Sequence, residues 1–373
     1  MKIGVLGAGQ LGRMLALAGY PLDMTFSFYD TSGAPSAGLG QIFSDPANTQ
    51  QELEAFLAEV DVVTYEFEHL PLSLTQAIEK VKPLHPSSES IRVCQNRAEE
   101  KKIFAELGIP TPAYRIVESA EELEAAAREL GCPVVAKSNT EGYDGKGQAV
   151  LRSPDEAQQA WDSIRHPKLV VESFVNFSRE LSIIAVRSTH GEIAIYPMAE
   201  NNHQGGILRY SIAPAPRLDD AKAALARDYI HRLIERLGHV GVLTLELFET
   251  EDGLLANEMA PRVHNSGHWT QNGSPTSQFE NHLRAIAGLP LGDCSAYRPT
   301  CMINLIGQTG DKSDVLALPY AHLHLYGKQE RPGRKVGHIN ILADDYEELV
   351  DRVTTCAAKI PGIAPFMASI VQE

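Results

Sequence analysis

The sequence is poor in cysteine and contains fewer basic than acidic residues. Its five cysteines, Cys94, Cys132, Cys294, Cys301 and Cys356, are odd in number, widely spaced and form no C-x-x-C pair. This pattern argues against a disulfide framework or a zinc site and favours reduced core thiols in the cytosol. Lys and Arg number 33 against 48 Asp and Glu, so the formal net charge is −15. That charge argues against binding nucleic acid or an anionic membrane through the overall field.

Long apolar segments are also absent. No run approaches the roughly 18 apolar residues of a membrane span, and the apolar start at residues 1 to 6 turns at once into glycines and Arg13, unlike a signal peptide. We therefore expect a cytoplasmic protein without a membrane partner. Hydrophobic residues make up 43% of the 373 residues, which is enough to build cores for roughly two to four domains.

Strand and helix patterns divide the chain into three predicted domains. Residues 1–95 open with a strand, a glycine turn, a helix and a second strand, a βαβ start typical of a Rossmann-like domain. Residues 96–178 alternate short helices and strands and predict a compact α+β unit. Residues 179–373 are rich in strands, with one long helix and a smaller strand-rich subdomain from about residue 300.

The first motif is the glycine turn after the first strand. Gly7, Gly9 and Gly12 form G-x-G-x-x-G, and Asp30 closes the next predicted strand. In this context glycines let the backbone approach a pyrophosphate at a helix N-terminus while the acid binds a ribose, so the motif alone suggests NAD. The alternative is a tight strand-to-helix turn that holds another substrate group or no ligand.

A second glycine loop, residues 142 to 148, lies between two predicted strands. It fails the Walker pattern because Gln148 stands where a Lys is required and no helix follows directly. A glycine loop between antiparallel strands can still fold over phosphates, with Lys137 and Lys146 supplying charge. An exposed flexible hairpin is the alternative.

Two acids, Glu246 and Glu258, lie on predicted strands joined by the turn at residues 251 to 253. A hairpin would place both carboxylates on adjacent strands among apolar residues, where they need a counter-charge. Mg²⁺ suits such a site because it takes a few carboxylates together with phosphate oxygens. A structural salt bridge is the alternative for either acid.

The following segment, residues 259 to 273, is dense in hydrogen-bond donors. His264 and His268 are four residues apart, but H-E-x-x-H is absent and Pro, Ser and Gly disfavour a helix, so a zinc site is weakly supported. A cradle for an anion beside metal-bound phosphate fits better. Arg262 is the best single candidate for stabilising charge in a transition state.

Four basic residues, Lys328, Arg331, Arg334 and Lys335, fall within eight positions of an otherwise acidic chain. Such a concentration predicts a local anion. Arginine suits a phosphate because its planar fork donates two hydrogen bonds at once. A solvated basic turn is the alternative.

Together these motifs resemble the N5-carboxyaminoimidazole ribonucleotide synthetases, ATP-grasp enzymes of purine biosynthesis. The resemblance rests on the glycine turn, on Tyr65-Glu66-Phe67-Glu68, on the 142 to 148 loop, and on two highly specific runs at residues 257 to 268 and 331 to 338. It extends nearly end to end. It implies a mixed α/β and α+β, three-domain ATP-grasp fold with an N-terminal Rossmann-like (pre-ATP-grasp) domain that does not use NAD.

The implied activity is ATP-dependent carboxylation of 5-aminoimidazole ribonucleotide by bicarbonate, giving N5-carboxyaminoimidazole ribonucleotide, ADP and phosphate through carboxyphosphate. ATP and Mg²⁺ are the implied cofactors, and a homodimer is the implied assembly. The expected partners are these small molecules, without nucleic acid or membrane. The alternatives are another ATP-grasp ligase or formate-using transformylase, an NAD-dependent dehydrogenase, and a non-catalytic nucleotide sensor.

By position, the resemblance also implies the site residues. The nucleotide would contact Arg97, Lys137, Gly142, Tyr143, Asp144, Gly145, Lys146, Gly147, Gln148, Glu172, Ser173, Phe174, Val175, Glu180, His203, Asn257 and Glu258. Mg²⁺ would bind Glu246 and Glu258. The ribonucleotide would contact Tyr143, Asp144, Lys328, Arg331, Arg334 and Lys335, with Asp144 orienting its amine and the basic group holding its 5′-phosphate. The catalytic set would be Arg262, Asp144, His264, Ser266 and His268. All of these except Asp144 would hold bicarbonate or carboxyphosphate.

Overall fold

A computed structural model describes residues 1–47, 49–140 and 147–360 of the chain. The strands in these ranges form three sheets of four, nine and four strands. Within these ranges, none of the helices combines the length and apolar character that a membrane span requires. All five cysteines are free.

The first sheet is parallel, with strand order β3-β2-β1-β4. Its strands are β1 (Lys2–Leu6), β2 (Thr25–Asp30), β3 (Gln41–Ser44) and β4 (Val62–Tyr65). The helices are α1 (Gln10–Gly19), α2 (Gln50–Glu59), α3 (Leu72–Glu79) and α4 (Ser88–Cys94). Strands β1, β2 and β4 are almost entirely buried, because helices cover both faces of a parallel sheet. The predicted βαβ opening is confirmed.

The second sheet is antiparallel, with order β5-β8-β6-β7. Its strands are β5 (Tyr114–Val117), β6 (Val134–Ser138), β7 (Gln148–Leu151) and β8 (Leu169–Ser173). The helices of this part are α5 (Arg97–Glu106), α6 (Ala120–Leu130) and α7 (Ala157–Ile164). Ser119 caps α6 by accepting a hydrogen bond from the Glu122 N–H at 3.2 Å, the usual role of serine before a helix.

The third sheet contains nine strands, in the order β14-β13-β9-β11-β12-β15-β17-β16 with β10 beside β9. Its strands are β9 (Arg179–Arg187), β10 (Ile193–Ile195), β11 (Ala199–Gln204), β12 (Ile207–Ala213), β13 (Gly241–Thr250), β14 (Gly253–Ala260), β15 (Thr300–Ile306), β16 (Ala321–Leu325) and β17 (Lys335–Leu342). The accompanying helices are α8 (Asp220–Arg236), α9 (Thr270–Gly273), α10 (Gln278–Ile286), α11 (Lys312–Leu316) and α12 (Tyr346–Ala357). Strands β15 to β17 extend the same sheet through the β12 and β15 pairing, although they carry an apolar cluster of their own.

Direct contacts join the three sheets around the β13 and β14 hairpin. The Ala256 N–H on β14 donates to the Pro110 carbonyl at 2.7 Å, and the Arg97 N–H of α5 donates to the Asn139 carbonyl at 2.9 Å. Helix α10 packs on α1 and on β13. The hairpin that carries the predicted metal ligands therefore lies where all three parts meet.

Candidate functional site

An internal carboxylate occupies the N-terminus of helix α1. Glu66, just after β4, accepts hydrogen bonds from the N–H groups of Gly9 at 2.5 Å and Gly12 at 2.9 Å. A Cβ at Gly9 would lie 2.6 Å from a Glu66 oxygen, so the turn needs glycine to admit this side chain. Burial raises the pKa of Glu66, while the two N–H donors oppose that shift.

This contact decides between the two interpretations of the glycine turn. The N–H groups that would hold a pyrophosphate already serve Glu66. Asp30, the predicted ribose ligand, accepts instead from the Ser32 hydroxyl at 2.8 Å and the Gly33 N–H at 3.0 Å within its own loop. The structure therefore favours the tight structural turn over an NAD site.

The basic segment at residues 328 to 335 reaches the glycine turn. Lys328 Nζ donates to the Gln10 side-chain carbonyl at the start of α1. Burial, followed by the charges of Arg334, Lys335 and Arg331, lowers the pKa of Lys328 to about 8. The other three predicted phosphate ligands thus lie close enough to Lys328 for their charges to disfavour its protonated form, and a bound phosphate would oppose this effect.

Arg262, at the end of β14, is held by Glu68 from the loop after β4. Its Nη2 donates to Glu68 Oε1 at 2.8 Å, and its Nε donates to the other carboxylate oxygen. Although burial alone raises the pKa of Glu68, Arg262 brings it to about 2. Glu68, in the loop after the first sheet, therefore orients Arg262, the residue predicted to stabilise negative charge in the transition state.

The donor-rich segment splits into a part near the acids and a part inside the protein. His264 Nε2 lies 3.1 Å from Glu246 Oε1, and its Nδ1 lies 2.9 Å from the Ser266 hydroxyl. Ser266 and His268 are completely buried, and His268 Nδ1 contacts the Gln278 side-chain amide at 3.1 Å. Of the predicted set, Arg262 and His264 remain partly accessible, whereas the buried Ser266 contacts the His264 ring and the buried His268 is connected to His264 through Gln278.

The two predicted metal ligands lie on paired strands, as the hairpin prediction requires. Strands β13 and β14 pair with a register shift between Leu245 and Leu247, and this irregularity falls at Glu246. Glu258 Oε2 forms an ion pair with Arg97 Nη1 at 2.7 Å. Burial raises the pKa of Glu246, but the hydrogen bond to His264 together with the nearby charges of His264, His203 and Lys335 lowers it to about 2. Each acid is therefore paired with a cationic or donor side chain.

A hard divalent cation fits this pair of acids. Within the described ranges, no group of three or more His, Cys, Asp or Glu side chains could hold a metal ion unaided. Mg²⁺ in proteins is usually bound by one or two carboxylates together with water and substrate phosphate oxygens, and the paired strands bring two carboxylates to one place.

Several predicted nucleotide residues contact one another next to the hairpin. Glu172, on β8, forms ion pairs with Lys101 Nζ at 2.5 Å and Lys137 Nζ at 2.6 Å. These two lysines overcome the effect of burial and lower the pKa of Glu172 to about 2. Lys137 Nζ also donates to the Asn257 side-chain oxygen at 3.2 Å. Lys137 thus connects Glu172 on β8 to Asn257 on the hairpin, through an ion pair and a hydrogen bond.

Glu180, the predicted ribose contact, and His203, another predicted nucleotide residue, form a pair on strands β9 and β11. Glu180 Oε2 lies 2.8 Å from His203 Nδ1. Burial lowers the pKa of His203, but Glu180 and Glu246 reverse the shift and raise it. Beyond β8, Phe174 is 52% exposed, so an adenine ring could reach the backbone there.

The second glycine loop is described only at its end. Gly147 has a φ of +70° and Gln148 begins β7. The predicted residues Gly142, Tyr143, Asp144, Gly145 and Lys146 lie outside the described residues.

Sequence reasoning missed two buried charged residues of α5. Lys101 is 2% exposed, and Glu100 accepts a hydrogen bond from the Met259 N–H at 2.6 Å. Burial raises the pKa of Glu100 to about 8. They belong to the run Glu99-Glu100-Lys101-Lys102, and a run of charged residues usually indicates a solvent-exposed helix face. Only their positions within the helix could have shown that Glu100 and Lys101 are buried.

Comparisons with known proteins cover the chain from end to end. An ATP-grasp domain model matches residues 102–279, a ribonucleotide synthetase preATP-grasp domain matches residues 1–95, and a phosphoribosylaminoimidazole carboxylase C-terminal domain matches residues 300–352. The N5-carboxyaminoimidazole ribonucleotide synthase of Pseudomonas aeruginosa is 46% identical over 361 residues, with 96% of this chain and 99% of that protein covered. The one from Escherichia coli is 38% identical, with 99% and 97% covered.

Solved structures agree with the sequence comparisons. The N5-carboxyaminoimidazole ribonucleotide synthetase from Thermus thermophilus superposes with a TM-score of 0.93 at 44% identity, covering 98% of this chain and 100% of that one. An N5-carboxyaminoimidazole synthase from Aspergillus clavatus, solved with ADP and 5-aminoimidazole ribonucleotide, superposes with a TM-score of 0.88 at 30% identity, covering 96% and 97%.

Proposed function

The chain belongs to the N5-carboxyaminoimidazole ribonucleotide synthase family of ATP-grasp enzymes, and from that membership we propose how its residues carry out the family's reaction. The enzyme uses ATP and bicarbonate to carboxylate the exocyclic amine of 5-aminoimidazole ribonucleotide. ADP and phosphate are the other products, and the step serves purine biosynthesis. The observation that carries the assignment of roles is that Glu246 and Glu258 lie on paired strands, where Glu246 contacts His264, Glu258 contacts Arg97 and the neighbouring Asn257 contacts Lys137.

ATP occupies the side of the hairpin that faces the second sheet. Lys137 and Arg97 approach the phosphates, while residues 172 to 175 offer backbone groups to adenine and Glu180 accepts the ribose hydroxyls. The exposed end of β8 and the Glu180 and His203 pair support this placement. Glu246 and Glu258 hold Mg²⁺, which when bound neutralises charge on the transferred phosphoryl group. Arg97, now paired with Glu258, provides the counter-charge there.

Bicarbonate lies at Arg262 and His264. One of its oxygens attacks the γ-phosphorus, the bond to ADP breaks, and carboxyphosphate forms. Arg262 stabilises the negative charge because its guanidinium is fixed by Glu68 and so needs little reorganisation. His264 provides a second donor from the opposite side of the hairpin.

The ribonucleotide enters between the glycine turn and the basic segment. Lys328, Arg331, Arg334 and Lys335 hold its 5′-phosphate, and the contact between Lys328 and Gln10 supports this position. The amine nitrogen then attacks the carboxyl carbon of carboxyphosphate, and inorganic phosphate leaves. Tyr143 and Asp144, which lie outside the described residues, stay proposed contacts of the substrate. Excluding water protects carboxyphosphate from hydrolysis before the amine reaches it.

Some of the proposal concerns organisation rather than chemistry. The domain boundaries at residues 1–95, 96–178 and 179–373 remain predictions, as do the homodimer and the cytoplasmic location.

The test of the reaction is ADP release with each substrate omitted in turn. We expect ADP formation to require ATP and Mg²⁺ and to rise strongly when the ribonucleotide and bicarbonate are both present. Appearance of N5-carboxyaminoimidazole ribonucleotide at the same rate as ADP identifies the product. If the ribonucleotide with bicarbonate leaves ADP release unchanged, the proposed reaction is wrong.

A further inference from the structure

Behind His264 lies a chain of hydroxyl groups that the reaction scheme does not use. Ser266 Oγ lies 2.9 Å from His264 Nδ1, and Ser182 Oγ donates to Ser266 Oγ at 2.8 Å. Ser182 is 1% exposed and Ser266 is completely buried. Ser182 belongs to β9, where it is paired with Glu246 of β13. This series of hydrogen bonds therefore begins at Ser182, on the strand next to Glu246, and ends at His264, whose ring contacts Glu246.

A backbone contact fixes which nitrogen of His264 carries the proton. The Ser266 N–H donates to His264 Nδ1 at 3.3 Å. A main-chain N–H can only donate, so Nδ1 must present its lone pair. The proton of the neutral ring is consequently on Nε2, the nitrogen that lies 3.1 Å from Glu246 Oε1.

The remaining donor directions follow from that assignment. Because Nδ1 accepts, the Ser266 hydroxyl must donate its hydrogen to Nδ1. Its oxygen lone pairs then accept from the Ser182 hydroxyl. Each hydrogen bond in the chain, from Ser182 through Ser266 to His264, therefore runs in one direction towards Glu246.

We infer that Ser182 is a positioning residue that acts through Ser266 to hold His264 as the Nε2–H tautomer. His264 thereby has a single hydrogen to donate, on Nε2: it goes to Glu246 in the free enzyme and, during the reaction, to an oxygen of bicarbonate or carboxyphosphate in its place. His264 is not the base that accepts the amine proton, since its only lone pair faces the buried serines. This inference deepens the proposed function and rests on it for the identity of the anion, whereas the tautomer itself does not depend on the substrate.

The tautomer can be measured on the free enzyme by long-range ¹H–¹⁵N correlation of protein labelled with ¹⁵N-histidine. Protonated and lone-pair ring nitrogens give widely separated ¹⁵N shifts, and a His264→Gln spectrum identifies the signals to follow among the 13 histidines. We expect His264 to show a protonated Nε2 and a lone pair on Nδ1. The opposite tautomer, or a doubly protonated ring at neutral pH, would overturn the inference even if carboxylation activity is confirmed.

The role of Ser182 is tested with Ser182→Ala. We expect kcat to fall by about 10- to 100-fold, a typical effect of removing a supporting hydrogen bond behind a site residue, while the KM for ATP changes less than about twofold. The His264 ring signals should shift or broaden in the free variant. Unchanged kcat together with unchanged ring signals would overturn the role of Ser182.

Ser188→Ala is the matched control. Ser188 follows the same strand and is 1% exposed, and its hydroxyl accepts from the N–H groups of His190 and Glu192 at 3.2 Å. Its removal deletes an equally buried hydroxyl away from His264 and should leave kcat and the His264 signals as in the wild type. Should Ser182→Ala not fold, the wild-type spectrum still decides the tautomer.

Discussion

Glu68 and Arg262 form a two-point ion pair between the loop after β4 and the end of β14. The pair joins the loop after the parallel sheet to the segment after β14 of the large antiparallel sheet, where we propose that the anionic intermediate lies. Both hydrogen bonds depend on the planar fork of arginine, which a lysine cannot reproduce. The orientation of the cation is therefore set by a residue from a different part of the chain.

Arg262→Lys tests this orientation. The substitution keeps the positive charge and loses one of the two hydrogen bonds to Glu68, so we expect kcat to fall about 10²-fold, as when a fixed donor is removed from a charge-stabilising site. The KM for ATP should change little. Steady-state kinetics with each substrate varied would measure both.

Arg92→Lys provides the control for this substitution. Arg92 pairs with Glu89 and Glu99 on the surface, with 38% of its side chain exposed. It should leave kcat unchanged. If Arg262→Lys retains wild-type kcat, charge alone suffices and the fixed geometry has no catalytic role.

Glu258→Gln tests the metal site. A neutral amide replaces one of two carboxylates, so the affinity for Mg²⁺ falls and turnover should drop by at least about a hundredfold. Mg²⁺ titration of ADP release measures whether higher metal concentration restores part of the rate. Asp252→Asn, at the exposed tip of the same hairpin, is the control and should behave like the wild type. Preserved kcat in Glu258→Gln would remove this residue from the metal site.

Arg334→Ala tests the phosphate site. A hydrogen bond to a charged group contributes about 1.5–3 kcal/mol, so we expect the KM for the ribonucleotide to rise roughly 10- to 100-fold. The KM for ATP should stay within about twofold because Arg334 is not among the residues that we propose to contact the nucleotide. Arg298→Ala, whose exposed side chain pairs with Asp344 at 2.7 Å, is the control. An equal loss of affinity for both substrates would contradict a phosphate role for Arg334.

The hairpin of β13 and β14 shows how far sequence reasoning extends. Apolar alternation around Glu246 and Glu258, with a glycine turn between them, predicts two paired strands, and the structure confirms the pairing. Local pattern sufficed because a hairpin is a short-range structure. The ion pairs that these acids form with His264 and Arg97 come from more distant segments and could not be derived from the pattern.

Strand β11 shows where sequence reasoning fails. Its sequence Ala-Glu-Asn-Asn-His-Gln contains almost no apolar residue, so periodicity gives no strand signal. It lies between β9 and β12 in the large sheet, and its polar His203 contacts Glu180 at the proposed nucleotide site. Because β11 carries polar residues, it lacks the alternation of apolar residues by which a strand is usually predicted. Lys101 was missed for a different reason: its partner Glu172 is 71 residues away, and a local pattern gives no sign of such a contact.

Two buried histidines join the first sheet to the third and predict a loss of stability in acid. His282 Nε2 contacts the Thr64 hydroxyl at 2.8 Å, and His239 Nδ1 contacts the Ser90 hydroxyl at 3.1 Å. Burial lowers the pKa of His282 to about 3 and that of His239 to about 4. Both are therefore neutral in the folded protein at pH values where an unfolded histidine, with a pKa of about 6.5, becomes charged.

The sign of the effect follows from proton uptake. Below about pH 6.5 the two histidines bind protons in the unfolded chain but not in the folded one, so the free energy of unfolding falls as the pH falls. The decrease continues until about pH 4 for His239 and about pH 3 for His282, where the folded protein also becomes protonated. Above pH 6.5 the stability from the neutral rings is fully present. At pH 5 each histidine lowers the free energy of unfolding by about 2 kcal/mol.

Urea unfolding between pH 7.5 and pH 5 should show this loss, and His282→Gln should reduce the slope of the free energy of unfolding against pH. His231→Gln, which replaces an exposed histidine of α8, should keep the wild-type slope; an equal slope in all three proteins would rule out the buried rings as its source.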